Sequence, residues 1–316
     1  MQLTKKILPF KKWGRFLILI VKTLCYNFKK SKGSNGMNLK KFACVLVSCA
    51  LIGTVFTGCG EEEKKSDATI KLGMLQQLNA SEQEFNGFMK KIAETFALDI
   101  REHEVTFFEN LNSMQMALES GQIDEISTYT PVADYLIARN PQIEILDGHT
   151  MEFIDAFCLA LSADNPELQK AADEAIIEMR NDGTLENLIK TYITDLKAGS
   201  EPPAVAFTNF EDAEILRVAV TGDLPSLDLI LADGSPAGFN TAVLAELGKR
   251  LHKNINLIQV DTAARAAALT SGQADIVFWA IVPVSEIIPA NSDKPDGVEL
   301  TSPYYRGKIV HIGLKK

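Results

Sequence analysis

Ala117-Leu-Glu-Ser-Gly-Gln-Ile-Asp124 and Ala268-Leu-Thr-Ser-Gly-Gln-Ala-Asp275 are nearly the same eight residues, met twice in one chain. Each copy closes an apolar-periodic stretch with Ser-Gly, where Gly121 or Gly272 can take the left-handed conformation that ends a helix. An Asp then leads into a β-rich run. One helix, turn and strand unit is therefore used in two places. The same alternation extends outward from both copies. Strands are expected near 70–75, 105–108, 123–128, 143–146 and 156–161, and helices over 113–119, 131–138, 166–180 and 185–192. Ser81-Glu-Gln-Glu84 is a capping box opening a further helix, with Phe85, Phe88, Met89 and Ile92 on one face. Lys197-Ala-Gly-Ser-Glu-Pro-Pro-Ala204 reads as a linker. After it come strands at 216–220, 255–260 and 276–282, helices at 241–251 and 263–269, and a last strand within 304–314. Strands and helices alternating at these lengths predict α/β sheets.

The front of the chain has another character. Residues 1–58 hold 11 of the 32 Lys and Arg and none of the 41 Asp and Glu, so the remainder, with 21 basic against 41 acidic residues, stands near −20. That charge repels phosphate backbones and speaks against nucleic acid as a partner. Met37 opens a secretory-signal layout, with Lys40 and Lys41, an uncharged run from Phe42 to Phe56, and Thr57-Gly58-Cys59. The small residue before Cys59 and the polar run after it resemble a bacterial lipobox, although Phe56 stands where Leu is usual. The apolar run is shorter than the ~20 residues of a membrane span. Residues 1–36 are thus read as an upstream extension, 37–58 as a lipoprotein signal peptide with Cys59 the lipidation site, and 59–68 as a flexible tether. Cys25, Cys44 and Cys49 lie upstream of Cys59, so Cys158 alone remains, and its apolar setting suggests a small buried residue.

Leu216-Arg-Val-Ala-Val-Thr-Gly-Asp-Leu-Pro225, Asp233-Gly-Ser-Pro-Ala-Gly-Phe-Asn240 and Ser302-Pro-Tyr-Tyr305 resemble the opening lobe of family 3 extracellular solute-binding proteins, the polar amino-acid receptors of ABC importers. The stretch from Asn110 to Asp124, Pro131-Val-Ala133, Asn165-Pro-Glu-Leu168 and Asn181-Asp-Gly-Thr-Leu185 are similar to that family's second lobe and closing helices. The resemblance implies a two-lobed type II periplasmic-binding-protein fold, each lobe a mixed sheet flanked by helices. The lobes are written in reversed order, a circular permutation: 69–196 is second-lobe-like, 197–214 a linker and 215–316 first-lobe-like. Two tandem truncated receptors are the competing arrangement. Under permutation, each half expressed alone is expected to form one lobe.

The resemblance also points to site residues. Family members carry an Arg for the ligand carboxylate after the strand equivalent to 276–282, and here Ile287 falls at that position, with Val282 and Val284 at the neighbouring hydroxyl positions. Tyr129 stands where an acidic residue takes the ligand ammonium. The opening loop, Gly222-Asp-Leu-Pro-Ser-Leu-Asp228, lacks the usual aromatic. These departures speak against free α-amino acids as ligands. Arg265, Trp279, Tyr129, Thr128, Asp223, Ser226 and Asn240 are the candidates to replace the missing contacts, each weighed against a bland role as solvated charge, core aromatic or loop polarity.

Catalysis has no motif behind it. His103, His149, His252 and His311 are scattered, and there is no zinc-protease, nucleophile-elbow or phosphate-loop pattern. No enzyme activity, cofactor or metal is expected. The expected function is that of a monomeric lipoprotein held at the outer face of a bacterial membrane, closing on a small polar solute and presenting it to a permease and its ATPase. The alternative is a sensor or surface scaffold with the same fold and no role in transport.

Overall fold

The computed structural model describes residues 69–96, 102–146, 153–285 and 288–315. The extension 1–36, the signal 37–58, Cys59, the tether to residue 68 and Ile287 lie outside the described residues. The first stretch runs β1 (Ile70–Leu75), α1 (Glu82–Phe96), β2 (His103–Phe108), α2 (Leu111–Glu119), β3 (Glu125–Tyr129), α3 (Thr130–Arg139) and β4 (Ile143–Ile145). The capping box forms as the sequence predicts. Glu84 accepts from the Ser81 amide and hydroxyl, and Ser81 Oγ accepts from the Glu84 amide. Asn110 caps α2 by accepting from the Ser113 amide at 2.8 Å. Strand β1 lies between β2 and β3, parallel to both.

The second stretch begins with β5 (Ile154–Ser162), α4 (Pro166–Asn181), α5 (Thr184–Ile189) and a π turn at Lys190–Thr194. It continues through β6 (Ile215–Val220) and a small meander of β7 (Asp223–Leu224), β8 (Asp228–Ile230) and β9 (Pro236–Ala237). Then come α6 (Phe239–Leu251), β10 (Asn254–Gln259), a 3-10 turn at Thr262–Ala264, α7 (Arg265–Thr270), β11 (Ile276–Pro283), β12 (Val298–Leu300) and β13 (Tyr305–Leu314). Strand β6 lies between β10 and β11, again all parallel.

Each parallel trio is completed from the far side of the linker. Strand β13 pairs antiparallel with β3 and then with β4, giving the order β2-β1-β3-β13-β4. Strand β5 pairs antiparallel with β11 and then with β12, giving β10-β6-β11-β5-β12. The two sheets have one connectivity, and they join where β13 pairs with β5 over Tyr305–Lys308. Helices α4 and α5 pack on α6, with Ala172, Ala175, Ile176 and Met179 forming the buried stripe of α4. This is a two-lobed, type II binding-protein-like α/β fold. Halves cut at residues 197–214 would each lose the fourth strand of a sheet and expose an apolar edge. That exchange argues against each half making a complete lobe by itself.

The repeated octapeptide does the same work in both lobes. Gly121 and Gly272 take φ of +74° and +72°, which a side chain would strain. The amide of Asp124 donates to Lys71 O at 2.8 Å, and its carboxylate accepts from Lys71 N at 2.9 Å. Asp275 makes the same pair with Arg217, at the same two distances. Each Asp thus brackets the middle strand of its parallel trio just before the third strand begins, fixing register. Cys158 is buried in β5, and burial pushes its thiol up to about 12.

Candidate ligand site between the two lobes

A cavity of about 40 Å³ lies between the lobes at the C-terminal ends of β1 and β3. One lobe contributes Met74, Leu75, Gln76 and Gln77 from the end of β1, Ser127 to Tyr129 from β3, and Ile309 from β13. The other contributes Leu224, Arg265, Trp279 and Ile281, while Asp155 comes from β5 and Asp293 from the loop before β12. A buried water occupies roughly 10–15 Å³ on this measure, so the space takes about three waters and no amino acid. The lobes are drawn together around it by direct bonds. Leu111 N donates to Asp223 Oδ2 at 2.6 Å, Thr262 Oγ1 to Glu109 O at 2.7 Å, and Asn79 N to Asp293 Oδ1 at 2.9 Å.

Arg265 is the central group. Its side chain is 2% exposed, and four hydrogen bonds tie it to carbonyl oxygens: Nε to Thr262, Nη1 to Phe278 and Trp279, and Nη2 to Gln76 across the cleft at 2.9 Å. A guanidinium carries five N–H donors, which leaves one Nη2 hydrogen for the cavity. The cation also lies 4.6 Å from the centre of the Trp279 ring. Burial pulls the guanidinium below its ordinary range, while Asp293 is the foremost opposing charge.

Trp279 sits in a bulge of β11, where the register with β5 shifts between Val277 and Ala280, and its φ is +57°. Left-handed backbone at a bulky residue is strained, and such strain gathers at binding sites. The bulge turns the indole onto the cavity, where its buried Nε1–H makes no hydrogen bond of full geometry and the Tyr129 hydroxyl is its polar neighbour. Tyr129 stands edge-on to Trp279 with ring centres 6.0 Å apart, and its hydroxyl donates to Asp155 Oδ2 at 2.8 Å. Burial pushes Asp155 up to about 6 against the lowering effect of that bond. Asp293 is also pushed up to about 6 by burial, against the backbone amide of Asn79 and the charge of Arg265.

Four of the residues singled out in the sequence therefore line one cavity from its two sides: Arg265 and Trp279 from one lobe, Tyr129 and Thr128 from the other. Three do not line the cavity. Asp223 spends Oδ2 on the amide at the start of α2. Ser226 lies buried beneath, at φ +68°, with its carbonyl accepting from Phe239 N. Asn240 is in the core, where its Oδ1 accepts from Tyr304 Oη at 3.2 Å.

Sequence reasoning missed Asp155 and Asp293, so the cleft is better supplied with charge than the family positions alone suggest. Asp155 had a visible signal, a lone carboxyl in the apolar run Ile154-Asp-Ala-Phe-Cys-Leu159. Asp293 had none, because it stands in the polar run Asn291-Ser-Asp-Lys-Pro-Asp296. The histidines are also less scattered than they read. Strands β2, β3 and β13 bring His103 and His311 to either side of Glu125, far from the cleft.

The fold and the cleft together define a solute-binding-protein architecture. Residues 216–309 match the model of bacterial extracellular solute-binding proteins, family 3. The match falls on the stretch whose motifs carry the resemblance, and residues 69–196 lie outside it, joined to it in the fold through the exchanged strands β5 and β13. No curated protein matches the chain. Among solved structures, it is similar to the GluR0 ligand-binding core in complex with L-glutamate, at 11% identity and TM-score 0.36 over 79% of this chain and 86% of that one. It is similar to a periplasmic substrate-binding protein of an ABC transporter from Coxiella burnetii, at 12% identity and TM-score 0.34 over 77% and 84%. It is similar too to CbnR, a LysR-family transcriptional regulator, at 12% identity and TM-score 0.39 over 79% and 64%. None of these likenesses is near enough to carry a ligand or a partner across.

Proposed function

We propose that this chain is the substrate-binding lipoprotein of an ABC importer, anchored through Cys59 outside the cell membrane, and that its lobes are those of one permuted receptor. It closes on a small polar solute, an amino acid or a related compound. The observation that carries this reading is the convergence of the Arg265 guanidinium, the Trp279 indole and two carboxyls, Asp155 and Asp293, on one space between the lobes. Such a set can hold an anionic and a cationic group at once. The space is small because the lobes are drawn shut. Strands β5 and β13, which pair side by side between the lobes, are the natural hinge. A solute binding the closed form better than the open one would draw the equilibrium further shut.

A second reading, a sensor or scaffold without transport, is favoured by one feature: Arg265 already spends four donors on the chain's own carbonyls. A thermal-shift screen against amino acids, peptides, amines and organic acids separates the readings, because a ligand of the folded form raises the midpoint by mass action. The importer reading expects a saturable rise with one class, lost in Asp155→Asn. Silence across all classes sinks it and leaves the scaffold.

A further inference from the structure

Three side chains meet in the lobe formed by β2-β1-β3-β13-β4, at the end away from the cleft. His103 lies opposite Ile70, Glu125 opposite Leu72, and His311 opposite Ser127. Ile70 and Leu72 are two apart, as are Glu125 and Ser127, so the pleat puts all three side chains on one face of the sheet. The structure places His311 Nδ1 at 2.9 Å and His103 Nε2 at 3.9 Å from the same oxygen, Glu125 Oε2. One donor atom from each residue falls within 4.8 Å of the others. Donors 2.0–2.1 Å from a tetrahedral zinc stand roughly 3.3–3.4 Å apart, so the two measured separations bracket the value a metal needs. The side chains are 12%, 8% and 16% exposed for His103, Glu125 and His311, so the group is sheltered and held on three strands. Both histidines reach the one carboxylate, His311 from a strand that arrives from beyond the linker.

We propose that His103, Glu125 and His311 form a binding site for a divalent transition metal, with Zn²⁺ the best match. Two imidazoles and one carboxylate are a familiar three-residue zinc set, with a fourth position for water or another donor. Ca²⁺ and Mg²⁺ fit poorly, since they need mostly oxygen ligands and the site offers one carboxylate. Coordination replaces the His311–Glu125 hydrogen bond and displaces the proton it holds, so acid weakens binding. A metal there would pin β13, one of the two crossover strands, to β3 and β2, and so act on the lobe rather than on the cleft.

The test uses the full chain stripped with a chelator and titrated with Zn²⁺ alone, with bound metal counted by elemental analysis and the thermal midpoint followed. One Zn²⁺ per chain and a rise in midpoint are expected, with no rise for Mg²⁺ or Ca²⁺. His103→Gln, His311→Asn and Glu125→Gln should each weaken binding by at least ~10-fold. Co²⁺ in place of Zn²⁺ should give the visible absorption of a four-coordinate site, and His311→Asn should abolish it. Cys158→Ala should change nothing. Circular dichroism of the metal-free variants guards against loss of fold, and the conservative amides serve where alanine would unfold the lobe. Absence of saturable binding, or binding of equal strength in all three folded variants, overturns the proposal.

Discussion

The two cleft carboxyls make stability depend on pH in an unusual direction. Asp155 and Asp293 sit near 6 in the folded chain against 3.8 when solvated. A group whose pKa is raised by folding holds its proton more tightly in the folded state. Its contribution is therefore complete below about pH 4 and is lost as pH rises through about 6. Complete loss corresponds to roughly 3 kcal/mol per group. Between about pH 5 and about pH 7.5 the linkage integral gives about 1.4 kcal/mol for each, or about 3 kcal/mol for the two if they titrate independently. For a chain of this size that is a fall in midpoint of roughly 6–10 °C. Asn at both positions keeps the acceptor oxygens for Tyr129 Oη and the Asn79 amide, so Asp155→Asn/Asp293→Asn removes the titration and spares the bonds. The assay is thermal or urea unfolding of both proteins at the two pH values, read as the difference between wild type and double variant. Equal pH slopes for wild type and double variant would refute the reasoning. A cationic ligand should restore much of the lost stability at neutral pH, since an ammonium favours both carboxylates.

Gly121→Ala and Gly272→Ala each force a side chain into positive φ with no atom within 4 Å of the new Cβ, so each should cost about 1–2 kcal/mol from backbone strain alone. The costs should add to within about 0.5 kcal/mol, being in different lobes. Urea midpoints of the three variants check this, and strong non-additivity would deny the repeat its independent role. Arg265→Met removes four hydrogen bonds and leaves carbonyls of both lobes without that donor, partly offset by release of a buried cation. A net loss of about 2–4 kcal/mol is expected, with a larger radius of gyration by X-ray scattering as the lobes part. The two halves, separated within 197–214, should be poorly folded alone and recover cooperative structure when mixed, because β5 and β13 are exchanged. Two independently stable halves would contradict the topology.

Much of the fold was legible because its signals are local. The capping box at Ser81, the Ser-Gly turns and the strand periodicities each act within a few residues, and the motif order around Leu216 to Tyr305 is carried by sequence. The exchange of β5 and β13 was not legible, since a strand's partner is chosen by the shape of two sheets and not by its own residues. The site divides along the same line. Arg265 and Tyr129 stood at family positions and Asp155 stood out as a charge in an apolar run. Asp293 and the meeting of His103 with His311 depended on loop path and strand register.

The repeated Ala-Leu-x-Ser-Gly-Gln-x-Asp determined, by itself, that one helix, turn and strand unit is built twice, because glycine's freedom at positive φ and an Asp that can bond backbone on both sides are properties of residues. The motifs flanking each copy already pointed to opposite lobes, but only the tertiary structure decided that each lobe completes its sheet with a strand of the other half, and that two burial-raised carboxyls line one cavity with a buried guanidinium. Those outcomes depend on which apolar faces cover each other and on how far water is excluded from a few charges, and neither quantity exists until the chain has folded.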